Sequence, residues 1–450
     1  MKKTYDIFVI GTGVAGSKIA SACSKAGKKV GICDNREFGG TCALRGCNPK
    51  KVLTGFAEAQ SRFQGYKEKG VIKGETEIDW EKLISFKQQF TKNIPAKRIK
   101  SYTQKNIDTF KGIAKFIDRN QIKIGDQEVK ADIIVIATGA TPRKMNIPGE
   151  ELLITSDEFL NLTALPSNIL FIGGGYISFE LAHIASQAGA NVIMLERSSK
   201  PLSNFDSDLV DLLVANFKEH NIQIVTETNV DSIRKEKGKF LVETGSGKVY
   251  STDLVVHGAG RVPNIKDLDL KKGGVEVDKH GILLNSDLQS SSNGSVYVAG
   301  DAVSDPRSIP LTPVASLEAR TVIHNILNND NRKPDYTGTP SVLYTFPPLA
   351  RTGLLVEDAE NENIDYQISY GDTSNDFSTR RLGLKKSAYK ILIDKNDSKI
   401  IGAHLLGHHV DEVINIFGLA IRNNFTVQKL KDNIWSFPSV GDIINNMLDI

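Results

Sequence analysis

Residues 6–16, Asp6-Ile-Phe-Val-Ile-Gly11-Thr-Gly13-Val-Ala-Gly16, run an apolar strand into a glycine-rich turn, and a helical pattern follows over residues 17–26. Residues 29–34 then form a second short apolar strand that ends in an acid, Asp34. Strand, glycine turn, helix, strand and terminal acid together make the βαβ fingerprint of a dinucleotide-binding fold. In such a unit Gly11 makes the turn, Gly13 lets the backbone approach a pyrophosphate, and Gly16 permits close helix packing. Asp34 is placed for a pair of ribose hydroxyls. The same order returns downstream. Residues 168–172 read as a strand, Gly173-Gly-Gly175-Tyr-Ile-Ser178 as the turn, and residues 179–188 as the helix. A strand over residues 191–195 closes on Glu196. The spacing from first glycine to terminal acid is 23 residues in both copies, Gly11 to Asp34 and Gly173 to Glu196. A shared ruler marks two nucleotide sites in one chain.

Between them lies Gly39-Gly-Thr-Cys42-Ala-Leu-Arg-Gly-Cys47-Asn-Pro-Lys50, which holds two of the chain's 4 cysteines. In an ideal helix the second Cα would stand ~7.5 Å above the first, too far for a relaxed disulfide. The pair therefore needs a bent entry into a helix, which Gly39, Gly40 and Gly46 allow. A bridge closing so small a loop stabilises a fold little compared with a long-range one. It is suited to being opened and closed. Two dinucleotide folds and one reactive pair suggest a relay in which a nicotinamide delivers hydride, a flavin receives it, and the disulfide carries the electrons onward.

Composition limits the remaining options. At 450 residues the chain is too long for one ordinary core. Its net charge of +3 is spread along the chain with no basic block, so no nucleic-acid partner is expected, and Lys-rich spots such as residues 390–399 read as solvated faces. No stretch resembles a secretion signal, Met1-Lys-Lys leading straight into the first strand, and no run approaches the ~20 apolar residues of a membrane span. Few cysteines with one close pair fit a reducing, cytoplasmic setting. Cys23 and Cys33 fall on helix and strand patterns and read as small buried apolar residues. No metal site is expected.

These residues resemble the class I pyridine nucleotide–disulfide oxidoreductases, the family of glutathione reductase, dihydrolipoamide dehydrogenase and mercuric reductase. The likeness covers essentially the whole chain. Gly11, Gly13, Gly16 and Asp34 match the FAD fingerprint, and residues 39–50 the redox-active cysteine motif. Ala137-Thr138-Gly139, Gly260-Arg261-Val-Pro263-Asn264 and Val296-Tyr-Val-Ala-Gly300-Asp301 match three further motifs. The implied fold is α/β, with two doubly wound Rossmann-like domains and a C-terminal α+β dimerisation domain. By this likeness residues 1–150 bind FAD, 151–266 bind NAD(P), 267–336 return to the FAD domain, and 337–450 form the interface of a homodimer.

The resemblance also implies roles. Cys47 would face the flavin and Cys42 would attack the substrate. Lys50 would lie near the flavin, paired with Glu180. FAD contacts would come from Gly40, Thr41, Ala114, Thr138, Gly139, Gly300 and Asp301. The nicotinamide would meet Gly173, Gly175, Tyr176, Ile177, Glu196 and Arg197, with Tyr176 either a lid over the flavin or core packing, and Gly260 and Arg261 would be further cofactor-binding residues. A carboxylate at Glu196 favours NADH over NADPH, although Arg197 and Lys200 follow it closely. The pattern breaks near the C-terminus. Family disulfide reductases place an acid–base histidine before a proline, with a glutamate beyond, and here Phe437 precedes Pro438 and Asp442 follows. Phenylalanine moves no proton, and such help is typically worth ~10²–10⁴-fold. His404, His408 and His409 read as surface or strand-end residues. The expected activity is NAD(P)H-dependent reduction of a small disulfide through FAD and the cysteine pair. The alternatives are reduction of a non-disulfide acceptor (a metal ion, a quinone or an oxidised small molecule) or a flavin-bearing redox sensor with little turnover.

Overall fold

The computed structural model describes residues 3–449. Met1 and Lys2, read with Lys3 as the lead into the first strand, lie outside that range, as does Ile450. The chain divides into two compact units.

The first unit comprises residues 3–49, 86–143 and 261–336. Its seven-stranded sheet is built on the strand Lys3–Ile10, which runs parallel to Val30–Asp34 on one side and Gln127–Ile136 on the other. Asp108–Lys111 extends the sheet beyond Val30–Asp34. Gln127–Ile136 has two different neighbours on its far side. Its first half pairs antiparallel with Gln121–Ile124, and its last three residues pair parallel with Val296–Val298. The chain thus re-enters this sheet more than 150 residues later. Ile7, Phe8, Val9, Ile32, Ile134, Val135 and Ile136 are all buried, the near-continuous apolar pattern of strands covered on both faces. The helices Val14–Lys25 and Thr312–Asn328 pack against one another within this unit.

The second unit comprises residues 50–85, 144–260 and 337–449. Here Asn168–Ile172 lies between Asn191–Leu195 and Leu254–His257 in a parallel sheet, with Ile222–Val225 at its edge. A three-stranded antiparallel sheet follows, and the C-terminal residues form a five-stranded antiparallel sheet covered by the helix Val410–Arg422. The helix Cys47–Glu68 begins in the first unit and runs into the second at Lys50.

Both glycine-turn helices start earlier than the apolar periodicity indicates, at Val14 and Tyr176, with Gly13 and Gly175 as their N-caps. Helix geometry therefore begins inside the turn, which aims the first free amides at the space beside the second glycine. Two surface readings are corrected. Lys390 is only 6% exposed, because its ammonium lies between Asp206 (2.7 Å) and Asp208 (2.6 Å) instead of in water. His404 is buried in the middle of the strand Ile400–Leu406, where Nε2 lies 2.9 Å from the Leu354 carbonyl, and burial pushes its pKa down to about 4. His408 is likewise buried, beside Arg62. Cys23 and Cys33 are buried apolar-site residues, as their patterns indicate.

Candidate nucleotide sites and redox-active cysteines

The two glycine turns are built alike. Gly11 has φ +111°, and a Cβ there would stand 2.2 Å from the Ala137 carbonyl oxygen; Gly173 has φ +98°, with 2.5 Å to the Gly258 oxygen. No side chain fits either corner. Each terminal acid folds back on its turn. Asp34 Oδ2 accepts from the Thr12 amide at 2.9 Å and Oδ1 from the Arg36 amide at 2.9 Å. Glu196 Oε2 accepts from the Gly174 amide at 2.5 Å and Oε1 from the Ser198 amide at 2.8 Å. The third turn position differs reciprocally. A Cβ on Gly16 would stand 2.0 Å from the Gly11 oxygen and 3.2 Å from the Ala137 side chain, whereas the second copy has Ser178 there, accommodated because Gly258 leaves room.

Open space beside the second glycine is what a phosphate needs. A Cβ on Gly13 would meet nothing within 4 Å, and one on Gly175 nothing nearer than 3.7 Å. In the first unit two further groups fit a dinucleotide. Thr138 Oγ1 is buried and has no hydrogen-bond partner among the described residues. Asp301 is largely enclosed, and burial raises its pKa while the charge of Arg261 pulls it back. Gly40 (φ +72°) brings the cysteine loop's backbone onto the first turn, since a Cβ there would stand 2.4 Å from Gly13 Cα. Thr41 is exposed at the start of the short helix Gly40–Leu44, and Ala114 is buried in the strand Ala114–Asp118. Arg261 donates to the Ala140 carbonyl and ties the strand Arg261–Pro263 to Ala140–Pro142, while the Gly139 carbonyl accepts from the Asn264 amide at 2.9 Å. Gly300 has φ +78° and turns the chain into Asp301. In the second unit Tyr176 is 44% exposed at the first position of its helix, which excludes core packing, and Ile177 is half-buried behind it. Gly260, Arg197 and Lys200 are exposed.

Cys42 lies in the helix Gly40–Leu44, Arg45 and Gly46 break it, and Cys47 opens the long helix Cys47–Glu68. That break supplies the bend an i,i+5 pair requires. Neither residue is in a disulfide, and Cys47 is the neighbour that acts most strongly on the Cys42 thiol. Thr312 Oγ1 lies 3.3 Å from Cys47 Sγ, at the first turn of Thr312–Asn328. The Cys42 thiol is pushed well above its ordinary pKa, chiefly by its hydrogen bond to Cys47 and then by burial; Thr312 opposes the shift and the Asp301 charge adds to it.

In the second unit Lys50 Nζ lies 2.6 Å from Glu180 Oε1, with side-chain exposures of 16% and 5%. The same oxygen accepts from the Tyr344 amide at 2.9 Å. The Tyr344 ring stands 4.7 Å from Lys50 Nζ and 3.7 Å from Lys51 Nζ. Thr312 and Tyr344 escape sequence reasoning. Leu311-Thr-Pro announces a helix start but not its neighbour, and nothing near Tyr344 marks it. Phe437 is 84% exposed, and Asp442 lies in the short 3₁₀ turn Gly441–Ile443. Among the described residues no group of histidine, cysteine and carboxylate side chains could hold a metal ion, and no helix is long and apolar enough to cross a membrane.

Two dinucleotide folds and a dithiol at a helix entry define a nucleotide-dependent thiol–disulfide oxidoreductase. Residues 5–319 match the family described as Pyridine nucleotide-disulphide oxidoreductase, and residues 339–448 match its dimerisation domain. The chain belongs to this family and is an enzyme of its α/β type, for which FAD and a pyridine nucleotide are the typical cofactors. It is 28% identical to a glutathione reductase of Burkholderia cepacia over 98% of both chains. It is 28% identical to a mercuric reductase of Lysinibacillus sphaericus over 97% of this chain and 81% of that one. A dihydrolipoyl dehydrogenase of Chlamydia muridarum is 27% identical over 98% and 96%. The fold is shared with the HOCl-induced flavoprotein disulfide reductase RclA from Escherichia coli, with a TM-score of 0.89 and 24% identity over 99% of each chain.

Proposed function

We propose that the protein is an FAD-dependent NAD(P)H:disulfide oxidoreductase acting as a homodimer on a small disulfide. The observation that carries this reading is the Cys42–Cys47 pair astride a helix break at the mouth of a long helix, with Thr312 Oγ1 3.3 Å from Cys47 Sγ. FAD and a nicotinamide, when bound, supply the hydride chemistry that no side chain here can perform. Gly11, Gly13, Gly16 and Gly40 would let the FAD pyrophosphate approach, with Asp34 at its ribose, Ala114, Thr138 and Gly139 alongside and Asp301 at the flavin end. Gly173, Gly175 and Glu196 would do the same for the nicotinamide dinucleotide. Glu196 already points its carboxylate at the turn, whereas Arg197 and Lys200 face solvent, and this supports NADH over NADPH.

The cysteine chemistry is a two-electron exchange. The Cys42 thiolate attacks one sulfur of the substrate disulfide and expels the other as a thiolate, leaving a mixed disulfide. Cys47 then attacks Cys42 Sγ, releases the second substrate sulfur, and closes the Cys42–Cys47 disulfide. Two protons leave the enzyme thiols and end on the products. Lys50, paired with Glu180, would supply a positive charge to the cofactor, and Thr312 Oγ1 shares a hydrogen bond with the Cys47 sulfur. Replacing Cys42 by serine and following NAD(P)H oxidation against a panel of disulfides tests the assignment: turnover must vanish. Unchanged turnover refutes the relay.

One observation favours a second reading, in which a non-disulfide acceptor is reduced. Phe437, 84% exposed, stands where disulfide reductases of this family carry the acid–base histidine. With Phe437 at the position of the usual acid–base group, leaving thiolates would depart unprotonated, which suits low-pKa thiols or acceptors that need no proton. Quinones and metal ions in the same panel discriminate the two.

A further inference from the structure

Glu318 lies six residues into the helix Thr312–Asn328, and its side chain is completely buried. A buried carboxylate is costly unless charge or hydrogen bonds compensate it, and an apolar residue of similar volume often serves stability as well. Glu318 has no cationic partner among the described residues. It has three donors instead. Oε2 accepts from the Gly300 amide at 2.7 Å, and Oε1 from the Ser308 hydroxyl at 2.5 Å and the Tyr336 hydroxyl at 2.9 Å. Burial raises its pKa to about 7, the three hydrogen bonds oppose that rise, and the Asp301 charge adds to it.

The contact with Gly300 falls on a decisive peptide. The Gly300 amide is held by Glu318, and the Gly300 carbonyl accepts from the Val303 amide at 2.8 Å. Both peptide groups of Gly300 are thereby fixed, in a conformation (φ +78°) that favours glycine. Asp301 is the next residue, so its direction follows from that geometry.

We propose that Glu318 is the positioning residue that clamps the Gly300–Asp301 turn in the shape that receives the flavin, with Asp301 and not Glu318 meeting the cofactor. The proposal rests on the reading of Asp301 as a flavin-holding residue. Ser308 and Tyr336 anchor one oxygen of Glu318, and the other is left to hold the turn. The carboxylate exchanges solvation for fixed geometry.

The test uses holoenzyme variants, with the rate of FAD release followed by flavin fluorescence and the bound flavin followed by its visible spectrum. Glu318→Met keeps the volume and leaves the Gly300 amide without an acceptor. Release should accelerate on the order of tenfold, the scale of one unsatisfied buried donor, and the spectrum should shift. Glu318→Gln, whose amide oxygen still accepts from Gly300, should stay within about twofold of the parent, since the hydrogen bond that holds the turn is kept. Release as slow in Glu318→Met as in the parent, or as fast in Glu318→Gln as in Glu318→Met, overturns the proposal. If Glu318→Met does not accumulate, Ser308→Ala combined with Tyr336→Phe strips the anchors of Oε1; faster release supports the clamp and unchanged release refutes it. Asp301→Asn separates the two levels. Faster release there with none in Glu318→Met defeats the clamp alone, whereas no effect at Asp301 defeats the reading of Asp301 and the clamp with it.

Discussion

Replacing Glu180 by glutamine tests the Lys50–Glu180 pair most directly. The amide oxygen can still accept from the Tyr344 backbone, 2.9 Å from Oε1, so the change removes charge more than shape. At 2.6 Å and an effective dielectric of about 20, two unit charges attract by about 6 kcal/mol. Part of that attraction offsets the desolvation of two nearly enclosed groups, and breaking one side of a buried pair costs about 3–5 kcal/mol. Lys50 retains 16% exposure and can move its ammonium toward water, which places the expected loss near the lower end, about 3 kcal/mol. Lys50→Met alone should cost a similar amount. The double variant should cost much less than the sum, giving a coupling energy of about 2 kcal/mol. Denaturant unfolding of the three variants measures it. The functional counterpart is the anaerobic bleaching of the flavin by NAD(P)H in a stopped-flow instrument. Loss of a preorganised charge should slow it on the order of a hundredfold in either single variant. Additive stability losses with coupling below ~0.5 kcal/mol, or flavin reduction as fast as in the parent, would refute the reasoning.

Four further outcomes are expected. Cys42→Ser should abolish disulfide turnover while flavin bleaching by NAD(P)H stays intact, a split that steady-state and stopped-flow rates read together. Glu196→Ala should lower kcat/KM for NADH on the order of tenfold and leave NADPH nearly unchanged, because one hydroxyl-binding carboxylate is lost. His404, at about 4 when folded against 6.5 when unfolded, stays neutral in the native state because of burial. The unfolded chain therefore binds more protons between these values, so stability present above pH 6.5 is lost as pH falls toward 4; in His404→Gln the loss across that window should be smaller by about 3 kcal/mol in urea titrations. Phe437→His should raise turnover of disulfides with ordinary thiol leaving groups by at least about tenfold and change low-pKa disulfides little, and equal effects on both would count against a missing proton donor.

The elements legible in advance are those whose determinants lie close along the chain. Residues 168–172 and 191–195 are strands at the positions their apolar runs mark, and both terminal acids reach their own glycine turns. The helix starts lie earlier because Val14 and Tyr176, read as parts of the glycine turns, already carry helical geometry. Lys390 and His404 were misjudged for one reason. A polar residue signals exposure only until the fold supplies a partner, here Asp206 and Asp208 for one and the Leu354 carbonyl for the other. Lys50 and Glu180 stand 130 residues apart, and only a resemblance to known enzymes paired them before the chain path was known.

By itself, the sequence determined the two βαβ units, the shared ruler between glycine and acid, and the close cysteine pair. Each depends on spacing within about thirty residues, where the period of helix and strand converts sequence distance into geometry. Only the tertiary structure decided what surrounds the cysteines and the turn beside them. Thr312 reaches Cys47 across 265 residues, and Glu318 reaches the Gly300 amide, just beyond the strand Val296–Val298, from a helix that packs on Val14–Lys25. No local pattern encodes such contacts, since they depend on the order in which strands join a sheet.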